Sequence, residues 1–346
     1  MPINFPLLKE LCEAPGAPGR EERVREIVIR ELEPICDEIS VDAIGNVIAM
    51  KKGSQEGRMM ISGHMDEISF MVSHINEQGF LHFVPLGGFD PKTLTAQRVI
   101  VHGRKDMIGV MGSKPIHIMT AEDRKKELRV EDFYIDLGLP LGKVNRLVRL
   151  GDVVTREREI IEIGEMINGK SFDDRIGVFV MIEALKAAKS CKMDVYAVGS
   201  TQEEVGIRGA TVAAHNIDPH VGFALDVTLA NDVPFTEPHL FITRMGQGTA
   251  IKAFDSSVVP NWKLVDYMRS TCERKKIPYQ LEVLPRGGTD TAAIQRGAGG
   301  AAAGCISVPT RYVHSVIEMV HPKDVEASIK LLSAMIETCK ADQFDL

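Results

Sequence analysis

The chain has 346 residues, 44% of them hydrophobic, which is enough for one large domain or two domains with buried cores. Its net charge of -7 argues against a nucleic-acid partner, because phosphate binding needs a basic surface. The six cysteines are scattered and form no C-x-x-C pair, which argues against a disulfide framework and a thiolate zinc site.

The first residues show no targeting signal, because a basic region followed by an apolar core is missing. No apolar stretch approaches the roughly 18 residues that a transmembrane helix needs. We therefore expect a cytoplasmic protein that binds no membrane and acts on soluble small molecules or peptides.

The first predicted elements are one helix and several short strands. Apolar residues at helical spacing between 20 and 36 predict an amphipathic surface helix whose stripe comprises Val24, Ile27, Val28, Leu32 and Ile35. Runs typical of strands follow at 46–50, 58–62 and 68–73, and "NEQG" predicts a turn before the next run, "FLHFV".

The rest of the chain divides into two regions with different sequence patterns. From about 69 to 162, short apolar runs alternate with glycine, which predicts a β domain. From 173 onward, helical patterns alternate with buried strands, and further helices are predicted at 261–275, 289–296 and 322–340. We therefore predict an α/β fold with a mixed, largely parallel sheet flanked by helices, built from residues 1–68 and 163–346, with a β domain inserted at 69–162.

Five places carry His, Asp or Glu directly after an apolar run or at a predicted helix start, where ligands of divalent metals often converge. They are "SGHMDE" with His64 and Asp66, "SFDDRI" with Asp173 and Asp174, "TQEEVG" with Glu203 and Glu204, "FALDVT" with Asp226, and "RYVHS" with His314. Together they offer the donors that two zinc or cobalt ions sharing a carboxylate would need.

Each place also has a purely structural interpretation. Asp173 and Asp174 could cap the helix that they open, and a lone His314 is more often a structural residue than a ligand. Glu203 and Glu204 could form the solvated first turn of the next helix. On an unbroken strand, however, neighbouring residues point to opposite faces, so two carboxylates at the end of a buried strand are better explained by a metal site.

The ordered motifs "GHMDEI", "GKSFDDRIG", "TQEEVGIRGA", "ALDV", "GGTDTAAI" and "RYVHS" resemble those of the tetrahedral (TET-type) aminopeptidases, which include the glutamyl and deblocking aminopeptidases. The resemblance covers nearly the whole chain, including "LGGFD" in the β domain. It implies a dinuclear metallo-aminopeptidase with two divalent metal ions per subunit, zinc or cobalt, with manganese as a third option.

The same resemblance implies a role for each candidate residue. The implied metal ligands are His64 and His314 on separate metals, Asp173 as the bridging carboxylate, and Glu204 and Asp226 on separate metals. Glu203 is implied as the general base and Asp66 as the partner of His64. The choice of Asp173 over Asp174 rests on the family pattern. Helix capping does not distinguish the two aspartates, because either could cap the helix.

The resemblance further implies that the inserted domain has a PDZ-like β fold and mediates dimerisation. Such dimers would assemble into a hollow tetrahedral dodecamer that admits short peptides. The stretch "RGGTDTAAI" is expected to line the substrate pocket through Arg286, Gly288, Thr289 and Asp290, although a glycine turn with a helix cap explains it equally well. Arg286 and Arg311 could receive an acidic side chain, but acidic and aliphatic specificity both stay open.

We therefore predict an aminopeptidase in which a water bridging two metals attacks the peptide and Glu203 accepts its proton. A related dinuclear carboxypeptidase or N-acyl deacylase is the nearer alternative. An endoglucanase-type glycosidase is the more distant one, because its two carboxyl groups would leave both histidines without a role.

Overall fold

The computed structural model describes residues 3–346, and in this range the chain forms a large mixed sheet covered by helices and a smaller closed barrel. The helices are α1 (Phe5–Glu13), α2 (Glu22–Leu32), α3 (Leu141–Leu147), α4 (Phe172–Ala187), α5 (Arg208–Ile217), α6 (Trp262–Lys275), α7 (Thr291–Gln295) and α8 (Pro322–Thr338). The strands are β1 (Glu38–Val41), β2 (Val47–Lys51), β3 (Arg58–His64), β4 (Ser69–Ile75), β5 (Leu81–Leu86), β6 (Arg98–His102), β7 (Asp106–Ser113), β8 (Phe133–Asp136), β9 (Val153–Arg156), β10 (Ile161–Ile163), β11 (Met166–Gly169), β12 (Asp194–Ser200), β13 (Val221–Leu229), β14 (Thr249–Phe254), β15 (Tyr279–Val283), β16 (Ala302–Arg311) and β17 (Glu318–Val320).

The centre of the larger sheet consists of parallel strands in the order β12, β3, β13 and β16. In β13 every residue except the last is buried, which explains its continuous run of apolar and small residues. Antiparallel strands extend the sheet on both sides, and β14 and β15 branch from β16. The predicted mixed α/β fold is therefore confirmed, with its parallel part at the centre of the sheet.

Helices cover both faces of this sheet, as the alternation of side chains along β3 shows. Met59 and Ile61 belong to the core formed with α4, whereas Met60 between them belongs to the core formed with α5 and α7. Helices α6 and α8 pack on β14 and β16. The loops at the ends of the parallel strands are thus held on a rigid, two-sided core.

Helix α2 is shorter than the predicted helix over 20–36. It ends at Leu32, and Ile35 is only partly buried beyond it. Pro34 explains the difference, because proline cannot donate the backbone hydrogen bond that would continue the helix. The predicted apolar stripe is otherwise present, since Val24, Ile27 and Val28 are buried.

The smaller sheet is a closed antiparallel barrel in the order β4, β5, β8, β7, β6 and β9. It has a hydrophobic core of its own, which includes Phe70, Val101 and Ile135. The barrel strands span Ser69 to Arg156, whereas β10 pairs with β11 in the larger sheet. We propose the barrel as the inserted unit, and the exact division of the chain at 69 and 162 stays a prediction.

Among the helices of residues 3–346, none is long and apolar enough to cross a membrane.

Candidate active site

The candidate residues converge at the edge where the four parallel strands end. His64 is the last residue of β3, and Asp226 lies in the second half of β13. Glu203 and His314 follow the ends of β12 and β16, and Asp173 lies in the first turn of α4. Ligands of open α/β sheets bind at this edge, because the loops that leave parallel strands meet there.

Asp173 lies between two imidazole rings. Its Oδ1 is 3.1 Å from Nε2 of His64, and its Oδ2 is 3.1 Å from Nε2 of His314. A carboxylate that directs one oxygen to each of two imidazoles is placed to bridge two cations, if the same imidazoles bind them.

Two sets of ligand atoms meet at this carboxylate. One set comprises His64, Asp173 and Asp226 and the other comprises Asp173, Glu204 and His314, and the atoms within each set lie within 4.8 Å of one another. Nitrogen and oxygen donors of this kind suit zinc, cobalt or manganese. In the described part of the chain, the buried Oε1 of Glu204 has no hydrogen-bond partner, as expected for an oxygen that binds a cation. The residues present therefore fit two divalent ions that share Asp173.

The electrostatics of the site also favour cations. Burial raises the pKa of Asp226 well above its usual value and that of Glu204 to about 8. Burial would lower the pKa of His314, but Asp173 and Glu204 outweigh it and raise that pKa to about 10. The carboxylates thus favour positive charge between them, and divalent cations held by the same groups would provide it.

The adjacent aspartates at the start of α4 have different partners. Asp174 accepts hydrogen bonds from the backbone N–H of Gly177, at 3.0 Å, and of His64, at 3.1 Å, so it caps the helix. Asp173 faces the imidazoles, and the peptide bond between the two aspartates is cis. The structure therefore assigns the capping contact, which the sequence left open, to Asp174.

Glu203 and Glu204 lie in a turn beyond β12 and not on the strand. The strand ends at Ser200, and Gln202 has a positive φ of 55°. Because α5 begins only at Arg208, the pair is also outside the first turn of that helix. The expected conflict between strand faces is therefore absent, and the turn decides where each side chain points.

The two glutamates approach different histidines. Oε2 of Glu203 is 3.9 Å from Nε2 of His64, and Oε1 of Glu204 is 3.6 Å from Nε2 of His314. Asp66 holds the turn in place, because its carboxylate accepts the backbone N–H of Glu203 at 2.9 Å and that of Glu204 at 3.1 Å. Only Glu204 belongs to a ligand set, so the neighbours occupy distinct chemical positions.

Asp66 was also expected to pair with His64. Nδ1 of His64 is 3.1 Å from the backbone oxygen of Asp66 and 3.5 Å from its carboxylate. The contact is therefore made mainly through the backbone, because the carboxylate turns toward the N–H groups of the glutamate turn.

A cavity of about 450 Å³ opens onto both ligand sets. Its wall is mainly apolar and is formed by Ile207, Val227, Leu229, Leu284 and Val313. A cavity of this kind, with polar groups converging at one place, is typical of small-ligand and substrate sites.

Two of the five residues predicted to bind substrate, Arg286 and Gly288, line this cavity. Arg286 is exposed and has no ion-pair partner within residues 3–346. Arg311 does not line the cavity, because its guanidinium donates two hydrogen bonds of 3.0 Å to Asp232. A contact 79 residues away in the sequence thus removes one of the two expected arginines.

Thr289 and Asp290 are buried and do not line the cavity either. The hydroxyls of Ser62 and Ser200 both donate to Oδ2 of Asp290, each at 2.6 Å. The hydroxyl of Thr289 donates to that of Thr291 at 2.8 Å. These residues join the start of α7 to β3 and β12, the strands that carry the first histidine and the glutamate turn.

Comparison with protein-family models shows the family of this chain. The model of the M42 glutamyl aminopeptidases matches residues 45–331, which include every candidate residue described above. The chain belongs to the M42 glutamyl aminopeptidase family. It is 34% identical to the lysyl aminopeptidase of Pyrococcus furiosus, over 99% of this chain and 99% of that protein.

Solved structures agree with this M42 membership. An aminopeptidase from the archaeon Desulfurococcus kamchatkensis has a TM-score of 0.94 and 38% identity, covering 98% of this chain and 96% of that chain. The TET1 peptidase of Pyrococcus horikoshii has a TM-score of 0.87 and 32% identity, covering 97% of this chain and 99% of that chain. The resemblance to the TET-type aminopeptidases is therefore confirmed.

One residue of this M42 site was not predicted from the sequence. Glu318 is buried and accepts the backbone N–H of His314 at 2.9 Å and that of Asp173 at 3.2 Å. Burial raises its pKa to about 7, with a further contribution from Asp173. The only signal in the sequence was an acidic residue four positions after His314, which by itself is too common to be informative.

The barrel also reaches the site through Gly87 and Gly88, which follow β5. A Cβ atom at Gly87 would lie 3.3 Å from Oε2 of Glu204, and one at Gly88 would lie 3.7 Å from Nδ1 of His314. Gly87 has a positive φ of 99°. The "LGGFD" motif therefore brings backbone close to two candidate ligands, and at Gly87 the positive φ and the short approach both disfavour a larger residue.

Proposed function

We propose that this protein is a metal-dependent aminopeptidase that removes N-terminal residues from short peptides. The observation that carries the proposal is the position of Asp173, whose two oxygens are each 3.1 Å from a different histidine. One further carboxylate joins each histidine in a ligand set. Membership of an aminopeptidase family supports the same class of reaction.

We propose that Asp173 is shared by two divalent ions, each with its own histidine and carboxylate. One ion would be held by His64 and Asp226 and the other by Glu204 and His314. Zinc and cobalt, and also manganese, suit these donors. When bound, such ions polarise the scissile carbonyl and make a water molecule nucleophilic near neutral pH.

Glu203 is proposed as the general base that accepts a proton from the attacking water and returns it to the leaving amine. Its carboxylate lies 3.9 Å from Nε2 of His64 yet belongs to neither ligand set, which supports this separate role. Burial raises its pKa well above the usual value, which suits a group that must take up a proton. Asp66 would hold this base in place through the backbone of the turn.

The cavity next to the site would receive the N-terminal residue of the peptide. Its acidic side chains attract the positively charged amino terminus, which favours cleavage of the first peptide bond over internal ones. The apolar wall suits an aliphatic side chain, while Arg286, which has no ion pair within the described residues, offers a partner to an acidic one. Both classes of side chain therefore belong in the substrate panel.

We also propose that the subunits associate into dimers and a tetrahedral dodecamer. The similar TET1 peptidase of Pyrococcus horikoshii assembles into a tetrahedron or a large octahedral shell. Large apolar side chains exposed on this subunit, such as Trp262 and Val259, are consistent with contacts between copies. Native mass spectrometry of the purified protein should give a dodecamer mass, and a monomer at micromolar concentration would contradict the proposal.

The function is tested with aminoacyl anilides and their N-acetylated counterparts. Protein stripped of metal should be inactive, and Zn²⁺, Co²⁺ or Mn²⁺ should restore hydrolysis of the free anilides only. Turnover of only the blocked substrates would instead identify an N-acyl deacylase, and release of C-terminal residues from blocked peptides a carboxypeptidase. Activity that survives complete chelation would contradict metal dependence, and on cellulose it would favour the glycosidase alternative.

A further inference from the structure

Glu318 connects two separate segments of the site through one carboxylate. Its side chain is almost completely buried, with 1% exposed. Oε1 accepts the backbone N–H of His314 at 2.9 Å, and Oε2 accepts the backbone N–H of Asp173 at 3.2 Å. These donors lie 4 and 145 residues away in the sequence, so Glu318 links the loop after β16 to the start of α4.

The two residues that Glu318 holds lie on irregular backbone. His314 has a positive φ of 63°, a conformation that is unfavourable for a residue other than glycine unless its surroundings stabilise it. Asp173 has φ and ψ of -77° and 104°, outside the helical region, although it lies within the first turn of α4. Neither residue therefore has the backbone geometry of regular secondary structure, in contrast to His64 and Asp226, which lie on central strands.

Glu318 itself is firmly anchored. It begins β17, where it pairs with Gly169 of β11, and the side chain of Asn168 donates hydrogen bonds to the backbone oxygens of Ile317 and Glu318 at 2.8 and 2.9 Å. The carboxylate thus projects from the sheet to the two irregular segments. Glu318 belongs to neither ligand set, because its oxygens already accept backbone N–H groups.

An independent contact on the other side of the site has the same form. Asp66 is buried and accepts the backbone N–H groups of Glu203 and Glu204. The ligand set of Asp173, Glu204 and His314 therefore consists of residues outside the regular parts of strands and helices, each held by a buried acid that is not a ligand.

We propose that Glu318 is a positioning residue, whose carboxylate fixes the backbone of Asp173 and His314 and so preorganises their side chains to bind a divalent ion. The inference rests on the proposed metal dependence. It goes beyond that proposal, because metal binding would then also require a residue that contacts neither the ion nor the peptide. Residues that hydrogen-bond to metal ligands typically contribute about 10–100-fold to metal affinity. The loss of the Glu318 carboxylate should therefore lower the affinity for the ion bound by Asp173, Glu204 and His314 by about 10–100-fold.

The test is a titration of the metal-free protein with Co²⁺, followed by calorimetry and by visible absorption. The wild-type chain should bind two ions. Glu318→Ala should lower the affinity for one ion by about 10–100-fold and the affinity for the other ion by less. Glu318→Gln should have an intermediate effect, because its amide oxygen still accepts one N–H while its amide nitrogen faces the other.

Asp324→Asn is the matched control, because Asp324 is another buried acid that accepts two backbone N–H groups, those of Gly246 and Gly248, each at 2.7 Å, and it belongs to neither ligand set. Thermal unfolding of the metal-free variants measures the structural cost of each change. Asp324→Asn should bind both ions as the wild type does, even if its stability falls as much as that of Glu318→Gln. If Glu318→Ala fails to fold, the near-isosteric Glu318→Gln carries the comparison.

Two results would overturn the inference: unchanged binding of both ions by the Glu318 variants, or an equal loss of affinity in Asp324→Asn. A wild-type chain that binds no ion would contradict both this inference and the proposed metal dependence. A wild-type chain that binds two ions but cleaves no peptide would contradict the proposed function alone, because the titration does not depend on turnover.

Discussion

The adjacent glutamates should have separable functions, and this prediction can be tested with two isosteric substitutions. Glu203→Gln removes a proton acceptor but keeps the size of the side chain and the backbone N–H that Asp66 accepts. Glu204→Gln removes a charged member of the ligand set that contains Asp173 and His314. The first change should affect turnover and the second should affect metal binding.

The magnitudes follow from the position of each carboxylate. General acid–base catalysis contributes about 10²–10⁴-fold, or about 3–5 kcal/mol of transition-state stabilisation, so Glu203→Gln should lower kcat by that factor. Because Glu203 belongs to neither ligand set, both ions should stay bound. Glu204→Gln should lose the ion nearest His314, since Oε1 of Glu204 is a buried oxygen without another partner in the described residues.

The assay combines kcat and KM for an aminoacyl anilide with the metal content of the same samples after gel filtration. Added Co²⁺ should rescue Glu204→Gln in part, because excess ion can refill a weakened site, and should not rescue Glu203→Gln. The reasoning is refuted if Glu203→Gln keeps more than about a tenth of the wild-type kcat, far above the expected range, or if it loses metal while Glu204→Gln does not.

Three further predictions concern the loop, the cavity and the pH dependence of stability. Gly87→Ala should lower the free energy of unfolding by about 1–3 kcal/mol, because φ is 99° and the new Cβ would lie 2.5 Å from Cγ2 of Ile68; an unchanged urea midpoint would contradict this. Arg286→Ala should lower kcat/KM for acidic relative to aliphatic N-terminal residues by roughly tenfold, through loss of a charged hydrogen-bond donor. The control Arg311→Ala should leave that ratio unchanged, and equal effects would show that Arg286 has no special role. Burial raises the pKa of Glu21 from 4.5 to about 7, so the stability it contributes is complete below pH 4.5 and is lost as pH rises through 7. In urea unfolding, the free energy of unfolding of Glu21→Gln should therefore rise relative to that of the wild type by on the order of 3 kcal/mol between pH 4.5 and 8. A difference between the two proteins that does not change with pH would contradict the pKa shift.

Much of the fold could be predicted because it rests on local patterns. The central strands are buried on both faces, so each is a continuous apolar run, and the alternation of such runs with helical patterns predicts parallel strands. The glycine-punctuated stretch likewise predicted a separate β region, which forms the barrel. The predicted length of α2 was wrong because the apolar stripe in the sequence continues past Pro34, where the backbone cannot remain helical.

The sequence by itself also determined which side chains were available at the strand ends, since His64, Asp226 and His314 each lie at or near the end of an apolar run. Residue spacing alone did not reveal their partners. Asp173 faces histidines 109 and 141 residues away, a pairing set by the packing of α4 against the sheet.

Only the tertiary structure decided between neighbours with the same chemistry. Asp174 caps α4 and leaves Asp173 to the histidines, because the backbone of the helix start turns their side chains to different partners. Arg311 pairs with Asp232 while Arg286 lines the cavity, and Glu318 reaches two distant segments. Periodicity in a sequence reports which residues are buried and in which element. The contacts that distinguish adjacent carboxylates or two arginines join segments far apart in the chain, and packing alone brings those segments together.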